Sequence, residues 1–98
     1  MILDVVAGEF NLEVDDLLSR KRDRNTARAR QVAMYILWLG DTTLRAIGRE
    51  IGGRSPATVS HGFQVIAEAI REDEELREKV NRIKGVSWQR EPSAISAK

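Results

Sequence analysis

The sequence predicts an all-α domain of about six helices built around a helix-turn-helix, and three observations carry that reading. Apolar residues recur at spacings of three and four along most of the chain, residues that start helices stand directly ahead of those stripes, and no period-two run is flanked by hairpin turns. With 98 residues there is room for one domain, and 42% apolar residues suffice for a single core without a metal or a disulfide. The absence of cysteine removes disulfides, zinc knuckles and thiol nucleophiles together. Residues 1–18 carry five acids and no base, the opposite of a secretory leader. The longest apolar run, Val32 to Leu39, is far shorter than the roughly 20 residues of a membrane span, so a soluble cytoplasmic chain with no membrane partner is expected.

Taken in order, Ile2, Leu3, Val6 and Phe10 form the stripe of a short first helix that Gly8 and Asn11 bring to an end. Asp15 and Asp16 suit the positive N-terminus of a second, with Leu17 and Leu18 turned inward. Arg20 to Arg24 then read as a basic loop. Asn25 or Thr26 caps the third helix, whose unbroken apolar stretch, including Trp38, marks it as the central buried element; Gly40 and Asp41 close it. Thr43 caps a fourth helix with Leu44, Ile47 and Ile51 on one side, ended by Gly52 and Gly53. Ser55 is a good N-cap, and Pro56 falls at the first helical position, where its missing N–H costs nothing. Val59, Phe63, Ile66 and Ile70 continue that fifth helix to near Glu72. Asp73 caps a sixth, with Leu76, Val80 and Ile83 inward and an exit at Lys84 and Gly85. The domain thus occupies residues 1–85, the helix-turn-helix residues 43–72, and residues 86–98, with Trp88 and Pro92, read as a flexible tail.

Net charge is only +1, which on its face argues against nucleic acid. Sorting the charge by segment reverses that inference. Residues 1–18 sum to −5 and residues 19–31 to +5, so a concentrated basic arm is hidden by an acidic neighbour. A solvated basic loop has the same composition, and a ligand-free αα-hairpin has the same apolar spacing as residues 43–61. The two together favour DNA. Short side chains at the N-terminal end of the second helix, Ser55, Pro56, Ala57 and Thr58 with His61 behind them, leave room for close approach to base edges, while Arg22, Arg24, Arg28, Arg30, Arg45 and Arg54 supply cations for phosphates.

Four segments also carry a family resemblance: Val14-Asp-Asp-Leu-Leu-Ser-Arg-Lys-Arg22, Ala27-Arg-Ala-Arg-Gln-Val-Ala-Met-Tyr35, Leu44 to Ile47-Gly48, and Gly52-Gly-Arg54 leading to Thr58-Val59. Together they resemble the C-terminal domain of the bacterial replication initiator DnaA over about residues 1–84. The resemblance implies a helical module, related to the Trp-repressor type, that recognises a short asymmetric duplex, the DnaA box, at replication origins, with Arg22 in the minor groove, Arg30 and Gln31 on the DNA backbone, Leu44 near a phosphate and Thr58 in the major groove. It implies a monomeric, nucleoid-associated partner of double-stranded DNA, and no cofactor in this chain, since ATP would belong to a preceding domain. Met1 directly precedes the domain, so the chain reads as an excised fragment or a stand-alone relative. Where the family pattern continues Gly-Gly-Arg with Asp-His-Thr-Thr-Val, this sequence has Ser55, Pro56 and Ala57 before Thr58, which implies an altered or relaxed base preference. Alternatives are a related helix-turn-helix in a transcription or transposition protein with another target, and a helical protein-interaction module.

Enzyme readings are weaker. Gly48 to Ser55 imitates a phosphate-binding P-loop with Arg54 in the lysine position, but a helix rather than a strand precedes it. Ser60 and His61 are adjacent on a helix, hence about 100° apart around its axis, and do not form a dyad. The acids from Glu72 to Glu75 cross a helix junction and read as a capped, solvated terminus rather than metal ligands. No catalytic or metal residue is assigned.

Overall fold

The computed structural model describes residues 2–88. Among them the secondary structure is entirely helical: α1 (Ile2–Glu9), α2 (Val14–Leu18), α3 (Arg24–Leu39), α4 (Leu44–Glu50), α5 (Pro56–Ala69) and α6 (Glu74–Trp88). Helix α3 is the hub. It packs most extensively on α5 and also touches α1, α2, α4 and α6, while α1 lies against α6 at one end and α4 against α5 at the other. Its stripe of Ala29, Val32, Ala33, Ile36 and Leu37 is buried against Val6, Leu17, Ile47, Val59, Ile66 and Ile83. Fully burying a Val, Leu or Ile side chain contributes about 1.5–3 kcal/mol, so this cluster is the main source of stability.

Local capping chemistry explains most helix starts. The Thr43 side chain accepts from the Ala46 N–H, Ser55 from Thr58 and Asp73 from Leu76, all at helix starts read from the sequence. Asn11 (φ 57°) and Asp41 (φ 72°), rather than Gly8 and Gly40, adopt the left-handed conformation behind α1 and α3. Asn and Asp tolerate it because their short polar side chains bond locally.

Five expectations are corrected. Helix α3 starts two or three residues early: Asp23 caps it by accepting from both the Thr26 N–H and the Thr26 hydroxyl at 3.0 Å, while the Asn25 amide donates to the Phe10 carbonyl. Arg24 therefore belongs to the helix rather than the loop. Leu18 faces outward, 37% exposed, because α2 is a single turn whose core-facing side is taken by Val14 and Leu17. Trp38 is not core. It lies at the last turn of α3, where its ring stacks on Phe63 of α5 (centroids 4.2 Å apart, planes 9° from parallel) and is 42% exposed on its other side. Helix α5 ends at Ala69, before Glu72, and α6 runs through Gly85 to Trp88. A glycine inside a helix costs only about 1 kcal/mol relative to alanine and does not by itself terminate one. Residues 89–98 of the expected tail lie outside the described residues.

Candidate nucleic-acid interface

The turn between α4 and α5 is built from glycines for two separate reasons. Gly52 (φ 77°) and Gly53 (φ 80°) take a backbone conformation that side chains resist. Gly48 has an ordinary conformation but no space: a Cβ there would overlap the Arg54 carbonyl oxygen, because the turn folds back so that the Gly53 and Arg54 N–H groups both donate to the Gly48 carbonyl at 2.9 Å. Its small size thus serves a close approach to the turn itself rather than to a neighbouring helix.

Beyond the turn, the first residues of α5 stand clear of the body. Ser55, Pro56, Ala57, Thr58 and His61 are exposed, and Val59 beneath them is fully buried, which anchors the helix while leaving its N-terminal turn available. The Ser55 hydroxyl accepts from the Thr58 N–H (3.2 Å) and donates to the Thr58 Oγ1 (3.0 Å).

The second exposed element is the loop between α2 and α3, which presents Arg20, Lys21 and Arg22 to solvent. Its shape is set by hydrogen bonds to its own backbone. Ser19 Oγ donates to the Asp16 carbonyl (2.7 Å) and accepts from the Lys21 N–H (3.2 Å), while Lys21 Nζ pairs with Asp16 at 3.2 Å. The Asp16 carboxyl is held below the usual carboxylate range, first by the Glu13 N–H and then by Lys21; the Asp23 carboxyl is held down by the Thr26 N–H and hydroxyl.

Underneath this loop lies Arg30, 8% exposed. Its Nε donates to the Leu17 carbonyl (2.9 Å), and its Nη2 reaches the carbonyls of Ser19 and Lys21 (3.1 Å each) and, at 3.4 Å, Asp16. Arg54 approaches from the turn, donating through Nη2 to the Ser19 carbonyl (2.7 Å) and through Nη1 to the Ile51 carbonyl (2.6 Å). Burial lowers the affinity of both guanidiniums for their protons, and for Arg54 the nearby Arg30 and Arg20 cations add to it.

The structure brings some of the residues picked from the sequence together and separates others. Arg30, Gln31, Arg54, Thr58 and His61 line one small cleft of about 140 Å³ between α3 and α5. Arg24 and Arg28 line a different and larger cleft, about 480 Å³, shared with Phe10, Leu76 and Lys79, where the Arg28 Nη1 is buried without a hydrogen-bond partner among the described residues. Leu44 and Arg45 open α4, the first half-buried against the core and the second exposed. Two features escape a reading of the sequence: Asp23 as the cap that ends the basic loop, and the carbonyl-bound state of Arg30. A signal for the latter is present. Extending the α3 stripe backward through Ala33, Ala29 and Thr26 puts position 30 on the buried face, where a charge must find partners.

No helix among the described residues is long and apolar enough to cross a membrane. Gly48 to Ser55, the segment that imitates a P-loop, forms the end of α4 and the turn into α5. A family model described as the bacterial dnaA protein helix-turn-helix matches residues 1–66, the span that contains α1 to α4, most of α5 and both exposed elements. The chain therefore belongs to the family of bacterial DnaA helix-turn-helix domains, modules that bind double-stranded DNA.

Proposed function

We propose that this domain reads a short asymmetric duplex site, placing the N-terminal turn of α5 in the major groove and the loop from Arg20 to Arg22 in the adjacent minor groove. One observation carries the proposal. The Arg54 Nη2 to Ser19 carbonyl bond ties the residue before Ser55 to the residue before Arg20, so the two exposed elements spring from one point. Arg22 is the minor-groove arm. Arg24, Arg28, Gln31 and Arg45 serve the phosphate backbone, with Leu44 packed beside it, and Thr58 with His61 faces the major groove.

The base preference of this site differs from that of relatives carrying Asp-His-Thr-Thr-Val after Gly-Gly-Arg. Ser55 commits its hydroxyl to the helix cap and to Thr58, Pro56 has no polar group to offer, and Ala57 keeps only a methyl. Each hydrogen bond to a base edge that these side chains do not make lowers discrimination by about 1–3 kcal/mol, while affinity directed at phosphates persists. Selection from a random duplex pool tests both halves. Enrichment of a short asymmetric sequence other than the standard DnaA box, or a broadened version of that box, is the expected outcome. Enrichment of the standard box as strongly as by relatives with the usual pattern would sink the altered preference. Counterion release also requires log affinity to fall with log salt, at about −0.9 per neutralised phosphate. A flat response would overturn duplex binding through this face and favour a protein-interaction module.

A further inference from the structure

We propose that Arg30 and Arg54 are positioning residues, which fix the basic loop at a set offset from the N-terminus of α5 so that one duplex meets both elements at once. The inference rests on the DNA-binding reading above and concerns how the two halves of that interface are kept in register.

The problem these residues solve begins with α2. A helix of five residues leaves its last carbonyls without intrahelical partners. The loop that follows contains no glycine and carries three exposed cations in a row, Arg20, Lys21 and Arg22, whose mutual repulsion favours an open, spread conformation. Within the loop, the backbone supplies little to oppose this: Ser19 N–H donates to Asp16, and the Lys21 N–H goes to a side chain. The acceptors are instead taken by two arginines from elsewhere in the chain. Arg30 collects four carbonyls, from Asp16 to Lys21, and Arg54 adds a second donor to one of them, Ser19.

The Ser19 carbonyl is therefore a node between three elements. Through Arg30 it is fixed to α3, and through Arg54, which also holds the Ile51 carbonyl, it is fixed to the turn that launches α5. The packing at this point is close. A Cβ on Gly52 would come within 2.6 Å of both the Leu18 carbonyl oxygen and the Arg54 Nη1, so the turn presses directly on the end of α2. Two cations converging on one carbonyl is an unfavourable arrangement that hydrophobic packing alone does not produce. A planar guanidinium with five donors can bridge carbonyls spread over several residues, whereas a lysine ammonium presents a single point of charge. Arg30→Lys and Arg54→Lys thus preserve charge and remove the bridge.

The test compares wild type, R30K, R54K and R22K on two duplexes of equal length, the one enriched from the random pool and a shuffled version, over a salt series. For R30K and R54K the expected result is a drop of about tenfold or more in affinity for the enriched duplex, the worth of one base-pair contact, with shuffled-duplex affinity and salt slope within twofold of wild type. R22K alters the groove-facing arm itself and is expected to lose enriched-duplex affinity while residues 19–22 stay ordered, so lost affinity with an ordered loop marks a contact residue and lost affinity with a mobile loop marks a positioning residue. Retention of enriched-duplex affinity by R30K and R54K would show them to be ordinary phosphate cations and overturn the proposal; so would an equal drop on both duplexes. Thermal melts of each variant identify a drop that merely follows unfolding. Backbone ¹⁵N relaxation of the free wild-type protein gives a readout independent of any variant. Residues 19–22 should be as ordered on the picosecond-to-nanosecond scale as α3, and mobile in R30K. A mobile wild-type loop in a protein that binds DNA refutes the clamp alone. An ordered loop in a protein that shows no salt-dependent duplex binding refutes the DNA reading alone.

Discussion

The two ends of this domain are held together by different chemistry. Where α1 meets α6, contact is apolar: Val6 and Phe10 share the core with Leu76, Val80 and Ile83, and the accompanying Arg82–Glu9 pair lies at the surface, its arginine side chain 56% exposed. Exposed pairs of this kind contribute little. At the other end, the α2–α3 loop and the α4–α5 turn are joined by directional bonds from Arg30 and Arg54 to backbone carbonyls, most of them within 3.1 Å. Burial is non-directional and scales with area, so it sets which helices pack together and how stably. It does not fix a polar loop to the precision that contact with two grooves demands. The apolar end supplies stability, and the arginine end supplies geometry.

That contrast makes graded predictions. The largest stability loss should come from Ile83→Ala at the apolar end: Ile83 is fully buried, and such truncations cost about 2–5 kcal/mol. Urea titration measures the loss, and duplex discrimination at a temperature where the variant remains folded should be unchanged. A shift in discrimination without a shift in stability would erase the division between the ends. Gly48→Ala comes next, at about 2–3 kcal/mol, because the new methyl overlaps the Arg54 carbonyl and must open the turn. Unlike Ile83→Ala, this variant is expected to lose enriched-duplex affinity beyond what its unfolded fraction explains. Ser55→Ala removes the α5 cap and should cost about 1 kcal/mol, read from the same titration.

The smallest effect is electrostatic. The folded-state pKa of Asp23 lies below its ordinary value of 3.8, so its contribution to stability is fully present above that value and is lost as pH falls through the lower, folded one. Asp23→Asn keeps a capping oxygen but removes the charge. The stability difference between wild type and D23N should therefore be constant from pH 7 to about 5 and shrink progressively below 4. A difference that stays constant down to pH 2 would mean that the charge of Asp23 plays no part in the cap.

Legibility of these features in the sequence follows the range of the interactions behind them. The caps at Thr43, Ser55 and Asp73 are readable because the bonds that make them close within three residues. The α3 cap is not, because Asp23, Asn25 and Thr26 are all competent and the choice is made from outside: the Phe10 carbonyl takes the Asn25 amide. Trp38 misleads for a related reason. An apolar run counts hydrophobic residues without saying which side of the last turn still has a neighbour, and here α5 covers one face of the indole only.

What the sequence determined by itself is the set of helices, their apolar faces and the segregation of charge into an acidic start and a basic arm. Each of these depends on residues close together in the chain, through capping, periodicity and local composition. Tertiary structure alone decided which carbonyls the inward-turned arginines engage, and that Arg54 is one of them. Arg20 and Arg22 face solvent, whereas Arg30 and Arg54, of the same residue type, are turned inward onto carbonyls between 3 and 35 residues away. The acceptor of a buried guanidinium is defined by where two segments meet, and that information exists only once α2, α3 and the turn before α5 have come together.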